Sequence, residues 1–190
     1  MSNYQALDIK ELFNHKLVYQ KLPKINAYKE FGLDNVCVLR EDIKFKTEEI
    51  IDKVNFKFNF LGKDNVVCDG QQIKVNLHAN KIHFVSFAYW GDTNEFFQIV
   101  YDDESIEKIK VPFIDWSHEV RTDSNSIAWY GNNIKTCKKV VTSGAITMLV
   151  HFHHTVCELK QNKIIKEIIF PYNMFTHVFA VTLEENNKGE

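Results

Sequence analysis

Apolar and polar residues alternate from Val54 to Phe60, setting Val54, Phe56, Phe58 and Phe60 on one face and Asn55, Lys57 and Asn59 on the other. That two-residue period predicts a half-buried β-strand with its phenylalanines in the core. From Ile82 to Ala88 the run is apolar or aromatic with one serine, as in a strand covered on both faces. Trp90-Gly91-Asp92 breaks it, Glu95 to Tyr101 mixes apolar and polar positions, and Asp102-Asp-Glu-Ser105 turns the chain. Ile106, Ile109, Val111 and Phe113 then resume extended structure up to Asp115-Trp116, so the stretch from Lys81 to Trp116 reads as the spine of the fold.

The remaining segments repeat this theme at short intervals. Residues 1–23 read as an N-terminal extension opening with a short amphipathic helix, in which Leu7, Leu12 and Phe13 share a stripe and Asp8 serves as cap or first-turn acid. Pro23 closes that unit. Ile25 to Leu39 reads as irregular and strand-rich, with Gly32 as a turn residue and Val36 to Val38 as a buried edge. Thr47 to Asp52 resembles a capped helical turn. Val66 to Cys68 re-enters the core, Asp69-Gly70 makes a tight turn, and Gln71 to Leu77 alternates again. Ser117 to Ser126 is a polar exposed loop, Ile127 to Tyr130 a short strand, and Gly131 to Asn133 a turn. Ala145 to Leu159, Ile164 to Phe170 and Thr176 to Leu183 are further strands, with a loop at Pro171 to Asn173 and a frayed tail over 185–190. Many short strands without βαβ alternation predict an all-β fold, an antiparallel two-sheet β-sandwich with few short helices, in a single domain over 1–190.

Composition narrows the function classes. A chain of 190 residues that is 45% hydrophobic and contains fifteen phenylalanines has material for one sizeable core. The formal charge of −2, with Lys and Arg scattered, argues against a nucleic-acid partner. No stretch has the apolar length of a signal peptide core or a membrane span, so the expectation is a cytoplasmic chain with no membrane partner. Cys37, Cys68, Cys137 and Cys157 are far apart and lie in or beside apolar stretches, which predicts buried thiols.

Three segments carry a resemblance. Val54-Asn-Phe-Lys-Phe58 followed by Asp64 to Ile73 is the first. Ile82 to Asp92 with Phe97 to Asp102 and Phe113 to Trp116 is the second, and Lys166 to Asn173 with His177 to Leu183 is the third. Together, over roughly residues 53–184, they resemble galactose-binding-like jelly-roll β-sandwich domains associated with bacterial glycoside hydrolases. The resemblance implies jelly-roll topology, a non-catalytic carbohydrate-binding role and a structural calcium ion. Trp90 departs from the small or polar residue expected before Gly91-Asp92.

Sugar recognition needs flat apolar faces for ring C–H groups and fixed polar groups for hydroxyls. Tyr89, Trp90, Asp92, Asn94, His118, Arg121, Trp129 and Tyr130 are the candidates; Trp116 and Trp129 read more simply as core residues between sheets. His151 and His153 alternate on one strand and could share an ion, with His177 as a third ligand; the other reading is a hydrogen-bonded row. Asp64, Asp69 and Asp92 are loop acids suited to calcium. Catalytic motifs are sparse: Asp92 with Asp115 is the least arbitrary carboxylate pair, and Cys157 with His177 a nucleophile pair that reads more simply as a buried thiol and a structural imidazole. Two further classes therefore stay open beside sugar binding. One is a metal-dependent cupin-like or small sugar-active enzyme; the other is a structural interaction module, which could be oligomeric.

Overall fold

The computed structural model describes residues 2–21, 36–135 and 146–186. Fourteen strands are described: β1 Ser2–Ala6, β2 Val18–Tyr19, β3 Val36–Leu39, β4 Glu48–Ile51, β5 Val54–Lys57, β6 Val66–Asp69 and β7 Gln72–His78, then β8 Lys81–Ala88, β9 Thr93–Tyr101, β10 Ile106–Phe113, β11 Asn125–Lys135, β12 Ile146–Glu158, β13 Ile164–Ile169 and β14 Tyr172–Asn186. The large sheet runs β1-β14-β8-β12-β11-β3-β2, with β6 also paired to β14. A four-stranded sheet runs β10-β9-β13-β7, and β4 and β5 form a separate hairpin. Pairing is antiparallel except between β2 and β3. The all-β sandwich is as the pattern predicts.

β8 explains the architecture. It lies between β12 and β14, so its backbone groups are paired on both edges, and its side chains are buried from Ile82 to Ala88. Ile82, Phe84 and Ala88 enter a core shared with Phe97, Val111 and Phe113 of the four-stranded sheet. Val85 and Phe87 enter a second core with Phe56, Phe58, Phe152 and Phe179. The large sheet is thus covered by the smaller sheet on one face and by the β4–β5 hairpin, with the 56–60 arm, on the other. Phe58 stacks between Phe45 and Phe60 at centroid distances of 4.7 and 5.8 Å, and all four alternating apolar residues from Val54 to Phe60 are buried.

Several expectations are corrected. The N-terminal segment is not a helix: β1 pairs with β14, and only Lys10–Leu12 coils, as a 3-10 turn. Leu7 and Phe13 are buried even so, because edge pairing and a single turn bury them as well as a helix would. Glu48 to Ile51 is strand, paired with β5 across Asp52-Lys53; φ values of 49° and 71° at those two residues match the turn whose twist suits a two-residue hairpin. Gly131 to Asn133 continues β11, paired with Val150 to Met148 of β12. Gly131 has no side chain there because the Trp129 ring lies across it, 2.3 Å from where a Cβ would stand. Tyr172 to Phe175 belongs to β14, which absorbs its irregularities as bulges, and Glu185 and Asn186 pair with Asn3 and Ser2 instead of fraying. Cys37, Cys68 and Cys157 are buried, and Cys68 and Cys157 are free thiols. The expectations for Pro23, Gly32, Cys137 and 187–190 lie outside the described residues.

Candidate functional site

Trp90 sits where β8 ends. Its φ of 77° is left-handed, a conformation that costs a bulky residue on the order of 1 kcal/mol, and its ring is 71% exposed. Gly91 follows with a φ of 106°, which only glycine adopts freely. Beneath it, Tyr89 is buried and meets Trp90 edge-on at 5.4 Å and Trp116 at 4.8 Å. Asp115 and Asp92 fix the two loops against each other. The Gly91 amide donates to Asp115 Oδ2 at 2.6 Å and the Asp115 amide to Asp92 Oδ1 at 2.7 Å. His118 Nδ1 also meets Asp92 Oδ1, at 2.9 Å. Burial alone would raise Asp92, but the Asp115 amide and His118 outweigh it and hold the carboxyl below its ordinary value. An ionised carboxylate and an imidazole therefore stand in fixed geometry beside an exposed indole.

The other predicted residues divide. Asn94 is exposed on β9. Tyr130 is 63% exposed and lies opposite His151, whose Nδ1 is 3.1 Å from the Trp116 carbonyl oxygen, so it adjoins this rim. Trp129 is buried against Phe152 at 5.0 Å and fills the second core. Arg121 is exposed, and its charge acts on Asp52.

The metal readings do not assemble. His153 lies opposite Ser86, whereas His177 lies opposite Phe87; consecutive strand residues point to opposite faces, so His177 cannot join His151 and His153. It is fully buried and bonds Asn65 Oδ1 at 2.9 Å. Burial, helped by repulsion from His151, takes His153 down to about 4, against the favourable pull of the nearby Asp115 and His118 carbonyls. Neither of its nitrogens reaches hydrogen-bond geometry. Asp64 is buried and accepts from the Leu17 and Val18 amides and from Asn65 Nδ2, which satisfies it with donors in place of a cation. Asp69 is exposed on β6. Among the described residues no three of His, Cys, Asp and Glu converge as a metal site.

Across the sheet from His153 the register builds a second polar cluster. Glu184 lies opposite Lys81 and His154 opposite Val85, so β14 and β12 bring both onto the face of His83, diagonally on either side of it. His83 Nε2 meets Glu184 Oε2 at 2.9 Å, its Nδ1 meets His154 Nε2 at 3.0 Å, and His154 Nδ1 meets Asp52 Oδ2 at 2.9 Å. Ser126 Oγ donates to the same Asp52 oxygen. Burial alone would raise both carboxyls, but hydrogen bonds win: those from Ser2 and His83 hold Glu184 low, and those from His154 and Ser126 hold Asp52 low. Ionised carboxylates only accept. Each outer ring nitrogen therefore carries the proton of its carboxylate bond, which leaves the inner Nδ1–Nε2 contact without a donor while both rings are neutral. Burial holds His83 below its ordinary value, and repulsion from His154 adds to this. The cluster backs a cleft of about 640 Å³ that also touches Tyr4, Asp123, Asn125 and Glu158.

His83 and Glu184 were not among the residues the sequence singled out. The lone histidine in the Ile82–Ala88 run is the one local signal; its partner stands 101 positions away, and only strand order joins them.

Residues 44–187 match a family model described as an AziU2-like beta-sandwich domain. No curated protein matches the chain. No helix among the described residues is long and apolar enough to cross a membrane.

Proposed function

The chain belongs to the AziU2-like β-sandwich domain family, and on that premise we propose that it is a non-catalytic binding module that takes a sugar or similar polyol on the Trp90 rim. The observation that carries this reading is Trp90 itself. The chain leaves the largest apolar side chain 71% exposed, on a backbone of φ 77°; the backbone conformation costs stability and the exposed ring forgoes what burial would gain. An indole displayed at that cost beside an oriented Asp92–His118 pair offers what a pyranose needs: an apolar face for its C–H groups and fixed hydrogen-bonding groups for its hydroxyls. Asn94 and Tyr130 are exposed as well and offer further hydrogen-bonding and stacking groups. The resemblance of the strand-turn-strand segments to galactose-binding-like jelly-roll domains supports the same ligand class.

Calorimetry against a panel of mono- and oligosaccharides tests it, with Trp90→Ala alongside wild type. Weak saturable binding by wild type is expected, with a loss of roughly tenfold or more in the variant and an unchanged melting temperature. A folded wild type that binds no sugar, or a variant that binds as well as wild type, overturns the reading.

A second reading, an interaction module, is favoured by exposed Tyr172, Met174 and Phe175 on β14, the last bonded through its carbonyl to the Tyr89 amide at 2.8 Å. Concentration-dependent sedimentation that Phe175→Ser abolishes would support it; a monomer at all concentrations would leave the rim to small ligands.

A further inference from the structure

The cleft behind the hairpin is not used by the sugar reading, yet its lining holds more carboxylates than lysines. We propose that it is a separate site for a small molecule carrying a protonated amine, held by Asp52, Asp123 and Asn125.

The first argument is charge. Four carboxylates line the cleft, Asp52, Asp123, Glu158 and Glu184, against one lysine, Lys81, whose Nζ lies 3.9 Å from Glu158; Glu184 and Asp52 bond opposite ends of the His83–His154 pair at 2.9 Å each. The acids therefore outnumber the lysine, and Arg121 acts on Asp52 only from an exposed loop. The second argument is hydrogen bonding. Asn125 is buried at the cleft wall; its Nδ2 donates to Thr155 Oγ1 at 3.0 Å, and its Oδ1 has no partner. A buried carbonyl oxygen left unpaired is destabilising, and a bound donor would satisfy it. The third is the state of Asp52. His154 and Ser126 both bond its Oδ2, leaving Oδ1 without a hydrogen bond among the described residues. His154 and His83 act here as positioning residues, which keep Asp52 ionised and aimed.

Every open atom in this set is an acceptor. An ammonium group offers three donors, no acceptor and the matching charge, while a neutral alcohol offers one donor and no charge. Val54 and Val156 line the same cleft and suit a short alkyl chain behind the ammonium.

The test is a heteronuclear NMR titration of the full chain with ethylammonium chloride, with ethanol and sodium chloride as matched controls. Ethylammonium should give saturable shifts in the Asn125 side-chain amide and the His154 imidazole, and the controls should not. Asp52→Asn should weaken binding roughly ten- to a hundredfold, the loss of one charge-assisted hydrogen bond. Asp123→Asn, an exposed change that leaves the fold alone, should weaken it severalfold. Trp90→Ala should leave it unchanged, so that failure here and failure of the sugar reading are separable. The proposal falls if ethylammonium produces no saturable shift, if ethanol produces the same one, or if both aspartate variants bind as wild type does.

Discussion

Residues of one type take opposite roles in this chain, and their immediate surroundings decide which. Trp129 is core because Gly131 clears the strand for its ring; Trp90 is displayed because its backbone turns left-handed where β8 stops. Gly131→Ala drives a methyl to 2.3 Å from Trp129 Cζ2. It should cost about 1–3 kcal/mol through overpacking, seen as a lower urea midpoint. Gly91→Ala meets no atom within 4 Å and should cost only about 1 kcal/mol, for its φ alone. Equal losses for the two would contradict this assignment. The aspartates divide in the same way. Asp52 is held below its ordinary value by His154 and Ser126 against the pull of burial, whereas burial takes Asp64 up to about 7 despite the amides that bond it.

At the scale of elements, the β4–β5 hairpin shows how turn chemistry overrides a helix-like sequence. Glu48 to Ile51 has helix formers, yet the Asp52-Lys53 turn returns the chain onto its own strand, and Ile51, Val54 and Phe56 are buried against the large sheet. Lys53 adopts a φ of 71°, which glycine reaches without strain. Lys53→Gly should therefore stabilise the protein by up to about 1 kcal/mol, and calorimetric melting would show the rise. A fall in melting temperature would mean that the Lys53 side chain contributes something its turn position does not suggest. The same hairpin delivers Asp52 to His154, so one turn supplies both a lid for the second core and the exposed end of the histidine chain.

For the molecule as a whole, buried imidazoles set the pH response. Burial lowers His15 to about 4, His153 to about 4 and His177 well below its ordinary value. Such groups are neutral in the fold and protonate readily once unfolded. The stability they contribute is present above the unfolded value near 6.5 and is lost as pH falls from there toward 4. Asp64 works the other way. Its raised value favours the fold below about 4, and that contribution fades as pH rises through 7. Three imidazoles outweigh one carboxyl, so the urea midpoint should fall steeply between pH 6.5 and 4. In His153→Phe the fall should be shallower; a slope identical to wild type would mean that His153 is not held neutral by burial.

The sequence by itself determined the sandwich and its cores. Alternation from Val54 to Phe60 and the unbroken run from Ile82 to Ala88 fix which side chains avoid water, and burial follows from that whatever the strand order. It also reached part of the rim, since Trp90, Asp92 and His118 lie on two loops whose turn residues are local. It missed that Leu7 and Phe13 are buried beside a strand instead of on a helix, because edge pairing with β14 is decided by a segment at the other end of the chain. Tertiary structure alone decided the two faces of the histidines. A shift of one residue between β8 and its neighbours would turn His154 and Glu184 away from His83, and no local pattern records that register. Side-chain polarity is a property of each residue and is written in the sequence; proximity across β12, β8 and β14 is set by how the strands pair, and exists only once the sheet has closed.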